Sequence, residues 1–156
     1  MSNGKLIVDT NLLLLLVIGA VEGGRHIKRS GRLNAYTESD FQNITEVMKG
    51  FNDIYITPYI ATEVSNLIDL SGRAYEAALD IARALFRSFK KLDCDIDKDC
   101  APSIFLRYGI TDTSLTILAS DFTILTNDSR LLDPLYTACP DNVLPYAFVK
   151  ASRSRR

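Results

Sequence analysis

At 156 residues, 47% of them apolar and with a net charge of only −1, the chain has the size and composition of one compact domain. That balance excludes disorder over most of its length, and it excludes bulk electrostatic attraction for nucleic acid. Three cysteines, Cys94, Cys100 and Cys139, are an odd count without a dense framework, which argues against a disulfide-stapled scaffold and for a reducing compartment.

Lys5-Leu6-Ile7-Val8 reads as a buried strand that ends in Asp9, followed by Thr10-Asn11 and an apolar helical run from Leu12 to Ile18. The stretch from Leu12 to Ala20 imitates a leader core. It is well short of the ~20 residues that span a bilayer, and the apolar run is broken by Asp9 and Asn11, so we read a first helix buried in a soluble cytoplasmic protein. Gly19 to Tyr36 carries four glycines with Arg25, His26, Lys28, Arg29 and Arg32 and reads as a mobile basic loop.

Thr37 then caps a helix to about Phe51, with Asp40 in its first turn, and Ile54 to Thr57 forms a short strand. Thr57 as cap and Pro58 as first residue open the next helix, which sets Ile60, Val64, Leu67 and Ile68 on one face, and Glu63 shares that stripe. A lone carboxylate buried there would cost several kcal/mol, so Glu63 is expected to have a metal ion or a basic side chain as partner.

Arg73 to Leu92 keeps helical spacing throughout, with an apolar stripe suited to core or dimer packing and Arg83, Arg87, Lys90 and Lys91 toward its carboxyl end. Asp93, Asp95 and Asp97 imitate a calcium loop, but Lys98 stands where the loop needs glycine and Ile104 where it needs glutamate. Gly109 reads as a left-handed helix terminator, with a new helix opening at Thr111-Asp112. Phe122 to Thr126 repeats the strand-then-acid design and leads to Asn127-Asp128, and Val143 to Val149 reads as the last strand before a frayed basic tail.

Asp9, Glu63, Asp112 and Asp128 thus fall where separate elements would deliver carboxylates to one end of a sheet, the end where open α/β sheets bind ligands. Taken singly, each has a plainer reading: Asp112 and Asp128 as helix caps, Asp9 as an Asx-turn, Glu63 as the partner of an arginine. Together they point to a hard divalent cation such as Mg²⁺ or Mn²⁺, because clustered carboxylates raise one another's pKa unless a cation intervenes. His26 is the sole histidine and no motif supports it as a base, so Ser-His-Asp or Cys-His chemistry is disfavoured.

In order and context, Ile7-Val8-Asp9-Thr10-Asn11, Thr57-Pro58 with Glu63, Gly109 to Asp112 and Thr126-Asn127-Asp128 resemble the motifs of PIN-domain nucleases, including the VapC-type toxins. The resemblance covers about residues 5 to 149. It implies an α/β three-layer sandwich with a central, mostly parallel sheet in one domain over residues 1–149, with 19–37 as an inserted loop and 150–156 as a tail. It further implies a Mg²⁺- or Mn²⁺-dependent ribonuclease whose metal ligands are Asp9, Glu63, Asp112 and Asp128, supported by Asn11 and Thr126. For a toxin it implies an antitoxin partner and a homodimer. Two departures stand out: Thr113 occupies a place where alanine commonly follows the third acid, and the 19–37 segment lengthens the chain.

Arg25, Lys28, Arg29 and Arg32 in the loop, with Lys150, Arg153, Arg155 and Arg156 in the tail, leave the remaining ten basic residues facing 19 acids. A phosphate-backbone substrate such as RNA would need such basic segments beside the acidic centre. Two alternatives stay open: a haloacid-dehalogenase-like phosphatase, although Asn11 fills the place of its second acid, and a PIN-like module that binds RNA or protein without catalysis.

Overall fold

The computed structural model describes residues 4–155. Lys5–Val8 (β1) lies at the centre of a five-stranded sheet, with Asp53–Ile56 (β2) and Lys90–Lys91 (β3) on one side and Thr123–Thr126 (β4) and Val143–Pro145 (β5) on the other, in the order β3-β2-β1-β4-β5. Every pairing is parallel, Leu6 lying beside both Ile54 and Thr123. A parallel sheet is covered on both faces, which is why β1 reads as an unbroken apolar run. The covering helices are Thr10–Gly19 (α1), Glu38–Lys49 (α2), Pro58–Leu67 (α3), Gly72–Ser88 (α4), Ile96–Asp99 (α5), Phe105–Leu118 (α6), Ser129–Ala138 (α7) and Tyr146–Arg153 (α8). The architecture is the α/β sandwich expected, and the sheet is wholly rather than mostly parallel.

Helix α1 is apolar all round because it is buried all round, and it packs against α2, α3 and α4. The helix starts follow their caps. The Thr57 hydroxyl accepts the Ile60 N–H at 3.1 Å ahead of Pro58, while Thr37 and Asp40 form a reciprocal capping box at α2. Asp40 is buried and also accepts the Tyr146 hydroxyl, with the Lys150 ammonium at 3.4 Å, so one carboxylate fastens α8 to α2. Among the described residues, no helix is long and apolar enough to cross a membrane.

Three expectations about elements fail, each for a local reason. The 19–37 segment is a packed loop, not a loose one: Ile27 and Leu33 join the core, His26 and Ser30 are buried, and the Ser30 hydroxyl and Gly31 N–H donate to Asp69 at 2.7 and 2.9 Å. The Arg73–Leu92 helix stops at Ser88, where Phe89 turns extended, and Lys90 and Lys91 pair with Tyr55 and Ile56 as edge strand β3. The last strand ends at Pro145. From Tyr146 the chain is helical to Arg153, with Tyr146 and Val149 buried three residues apart on its inner face, so Ala151 to Arg153 belong to α8; Arg156 lies outside the described residues.

Candidate active site

The strand order reverses between β1 and β4, and Asp9 and Thr126 stand at the carboxyl ends of those two strands. Above that switch point opens a cleft of about 280 Å³, lined by Asp9, Thr10, Asn11, Glu63, Leu67, Tyr108, Gly109, Ile110, Thr111, Asp112 and Asp128. All four acids singled out from the sequence therefore meet at one cavity. They come from four separate elements: the end of β1, the third turn-forming face of α3, the middle of α6 and the start of α7.

Two of the plainer readings hold alongside this one. Asp9 caps α1 by accepting the Thr10 N–H at 2.7 Å, and Asp128 caps α7 by accepting the Arg130 N–H at 2.9 Å. Asp112 caps nothing. It lies inside α6 beyond a kink at Gly109, whose φ of 79° and ψ of 178° suit glycine; its φ is positive, as expected for a helix terminator, but its ψ is extended instead of left-handed helical.

Glu63 corrects a second expectation. It is exposed at the mouth of the cleft, and its partners are two hydroxyls: Thr10 donates to one carboxylate oxygen at 3.1 Å and Thr111 to the other at 2.7 Å. It sits at the edge of the α3 stripe, where the helix surface turns from the core to the cavity, so it needs neither a buried ion nor an arginine. Thr10 and Thr111 had been given no role from the sequence. The available signal was their position, each directly beside an acid.

Thr126 is fully buried, donates to Asp9 at 2.6 Å and accepts the Asp128 N–H at 3.0 Å, so one hydroxyl sets two of the four acids. Asn11 is exposed on the rim of the cleft. Tyr36, at the end of the packed loop, accepts a bond from the Asn127 side chain at 2.8 Å beside the same strand end. Arg25, Lys28, Arg29 and Arg32 do not line the cleft. Arg25 pairs with Glu22 at 3.3 Å and Lys28 donates to the Asn34 carbonyl at 3.0 Å. His26 is buried against Glu22, away from the acids.

The electrostatics follow from this crowding. Burial raises the Asp9 carboxyl above the usual range, and the charges of Asp128 and Glu63 add to the rise, against the lowering effect of the Thr126 hydroxyl and the Thr10 N–H. Asp112 is pushed up to about 7, first by burial and then by Asp9, Asp128 and Glu63, with Arg130 pulling the other way. Among the described residues, no lysine, arginine or histidine comes within ion-pair distance of any of the four carboxylates. Nor are any three His, Cys, Asp or Glu side chains of the described residues gathered closely enough to hold a metal ion as they stand.

Immediately after Asp112, the hydroxyl of Thr113 is fully buried with no hydrogen-bond partner. An orphaned buried hydroxyl costs about 1–3 kcal/mol, and valine has nearly the same shape without it. Thr113→Val is accordingly expected to raise the urea midpoint by an amount equivalent to about 1 kcal/mol. An unchanged or lower midpoint would mean that the hydroxyl has a partner.

No family model matches the chain, and no curated protein matches its sequence.

Proposed function

We propose that this protein is a metal-dependent endoribonuclease of the PIN-like kind, with Asp9, Glu63, Asp112 and Asp128 holding Mg²⁺ or Mn²⁺ in the cleft. The observation that carries this reading is the meeting of four carboxylates from four elements at the sheet's switch point with no side-chain cation within ion-pair distance. The donor set suits the ion: carboxylate and hydroxyl oxygens are hard ligands, and Asp112 is held at a pKa of about 7 for want of a countercharge.

A bound divalent ion would supply a more acidic water and neutralise charge developing on phosphoryl oxygens. The chain's own groups prepare for this. Thr126 fixes the oxygen of Asp9 that faces β4, while Thr10 and Thr111 hold both oxygens of Glu63, so that reaching a common ion requires Glu63 to release at least one of them. A cytoplasmic location accompanies an RNA substrate in this reading, and the three free cysteines suit a reducing compartment. A homodimer and an antitoxin partner remain part of the proposal only if the protein is a toxin.

The wide spacing of the acids favours a second reading, a module that keeps the cleft and binds RNA without cutting it. The two separate in one assay. Purified protein incubated with a labelled single-stranded RNA is expected to yield discrete fragments in Mn²⁺ or Mg²⁺ and none in excess chelator. Intact RNA retained by the protein in every lane would support the module, and phosphate release from small phosphoesters without RNA cleavage would support a phosphatase.

A further inference from the structure

Beside the acidic cleft lies a small group of cations that neither the acids nor the helices account for. Tyr108, which lines the cleft, has the Arg107 guanidinium 5.9 Å and the Arg130 guanidinium 5.6 Å from its ring centre, and Arg130 reaches the Arg107 carbonyl at 3.5 Å. Both arginines are exposed, and among the described residues neither has a carboxylate within ion-pair distance. Arg130 moreover occupies the first turn of α7, where the helix dipole disfavours a positive charge. Helix stability therefore does not explain its place. Two like charges from different elements converge on one aromatic ring, which holds them at fixed positions on the rim.

We propose that Arg107 and Arg130, braced on Tyr108, form a backbone clamp for single-stranded RNA, taking the phosphodiester next to the one that lies over the acids. This rests on the ribonuclease reading of the cleft. Guanidinium groups match phosphate oxygens in a fixed fork, and an aromatic ring beside them offers a face or edge to an unstacked base, the combination used to hold single strands. A phosphate at the acids alone would be repelled. The adjacent cations supply the attraction that the nearly neutral chain lacks in bulk, and they do so on the cleft itself, unlike the loop cations at Arg25, Lys28, Arg29 and Arg32.

The test is steady-state cleavage of a fluorescent single-stranded RNA in Mn²⁺ across a series of KCl concentrations, by the wild type, Arg107→Ala/Arg130→Ala and Arg107→Lys/Arg130→Lys. The double alanine variant is expected to raise KM about tenfold or more with kcat little changed, and to flatten the slope of log(kcat/KM) against log[KCl] by about 1.4, at about 0.7 per lost phosphate contact. The double lysine variant is expected to keep the slope, because it keeps the charges, and unchanged melting temperatures report intact folds. Wild-type KM and slope in the double alanine variant would overturn the clamp and leave the nuclease standing, as would a fall in kcat alone. Transfer of the salt dependence to an Arg25→Ala/Lys28→Ala/Arg29→Ala/Arg32→Ala variant would also overturn it. Absence of both cleavage and RNA binding in the wild type would overturn the clamp together with the reading beneath it.

Discussion

Asp112→Asn is expected to lower RNA cleavage by about 10²–10⁴-fold, the range that one proton-handling or charge-stabilising group contributes, and at the same time to make the protein more stable. The two effects have one origin. Asp112 sits partly buried beside three other carboxylates, with its own pKa raised to about 7, and no side chain of opposite charge among the described residues lies within bonding distance. The folded state then holds one proton more than the unfolded state between pH about 4 and about 7. Stability therefore falls as pH rises through that window and levels off above it. Asparagine removes the slope. At pH 7.5 and without divalent ions the variant should gain about 1–2 kcal/mol, allowing for solvent screening in an open cleft, or a melting temperature higher by about 3–6 °C. At pH 4 the two proteins should melt together. A variant less stable than the wild type at pH 7.5 would show that Asp112 is a structural acid, and the proposed site would lose its central member.

Opposed effects on stability and activity distinguish this acid from its neighbours. Asp9 and Asp128 also cap helices, so their removal mixes a lost cap with a lost ligand, whereas Asp112 accepts no backbone N–H of α6. Local rule-breaking of this sort concentrates at functional sites.

What could be read in the sequence follows the same division. β1 and β4 were legible because an apolar run ended in an acid or in Thr-Asn-Asp, and a parallel, doubly covered strand leaves that signature. The starts of α2 and α3 were legible from Thr37 with Asp40 and from Thr57 with Pro58, which are local signals. Glu63 misled because helical spacing gives a residue's direction around the axis but not where the core stops and a cavity begins. The 19–37 segment misled because Ile27 and Leu33 are buried without any periodic spacing, held by turns and by Asp69 from a distant linker. At Ser88 no glycine or proline marks the helix end, and Phe89 stays in phase with the helical stripe although its backbone has turned extended. In Val143 to Val149 the helical pair Tyr146 and Val149 was hidden in a run too short to show its period. The hydroxyls of Thr10 and Thr111 are tertiary partners of Glu63, and no sequence interval announces a bond across 53 or 48 residues.

Addition of Mn²⁺ to a hundredfold excess over its dissociation constant is expected to stabilise the protein by about 2.7 kcal/mol at pH 8, since an ion bound only by the folded state adds its binding free energy to folding. For a chain of this length that corresponds to a melting temperature higher by about 5–11 °C. The sign of its pH dependence is fixed by the acids. At pH 5.5 the raised pKa of Asp112, and the raised pKa of the buried Asp9, keep protons on oxygens that the ion must claim, so the same Mn²⁺ concentration should stabilise much less. The profile is thus the reverse of the metal-free one: without the ion stability declines toward pH 8, and with it the decline is offset where the carboxylates are ionised. Asp112→Asn should lose most of the Mn²⁺ effect at pH 8 while keeping its metal-free gain. A melting temperature indifferent to Mn²⁺ and Mg²⁺ at pH 8 would show that the four carboxylates, spread as they are between threonine hydroxyls and helix caps, do not close on a cation. The cleft would then have to be assigned a chemistry that leaves Asp112 protonated.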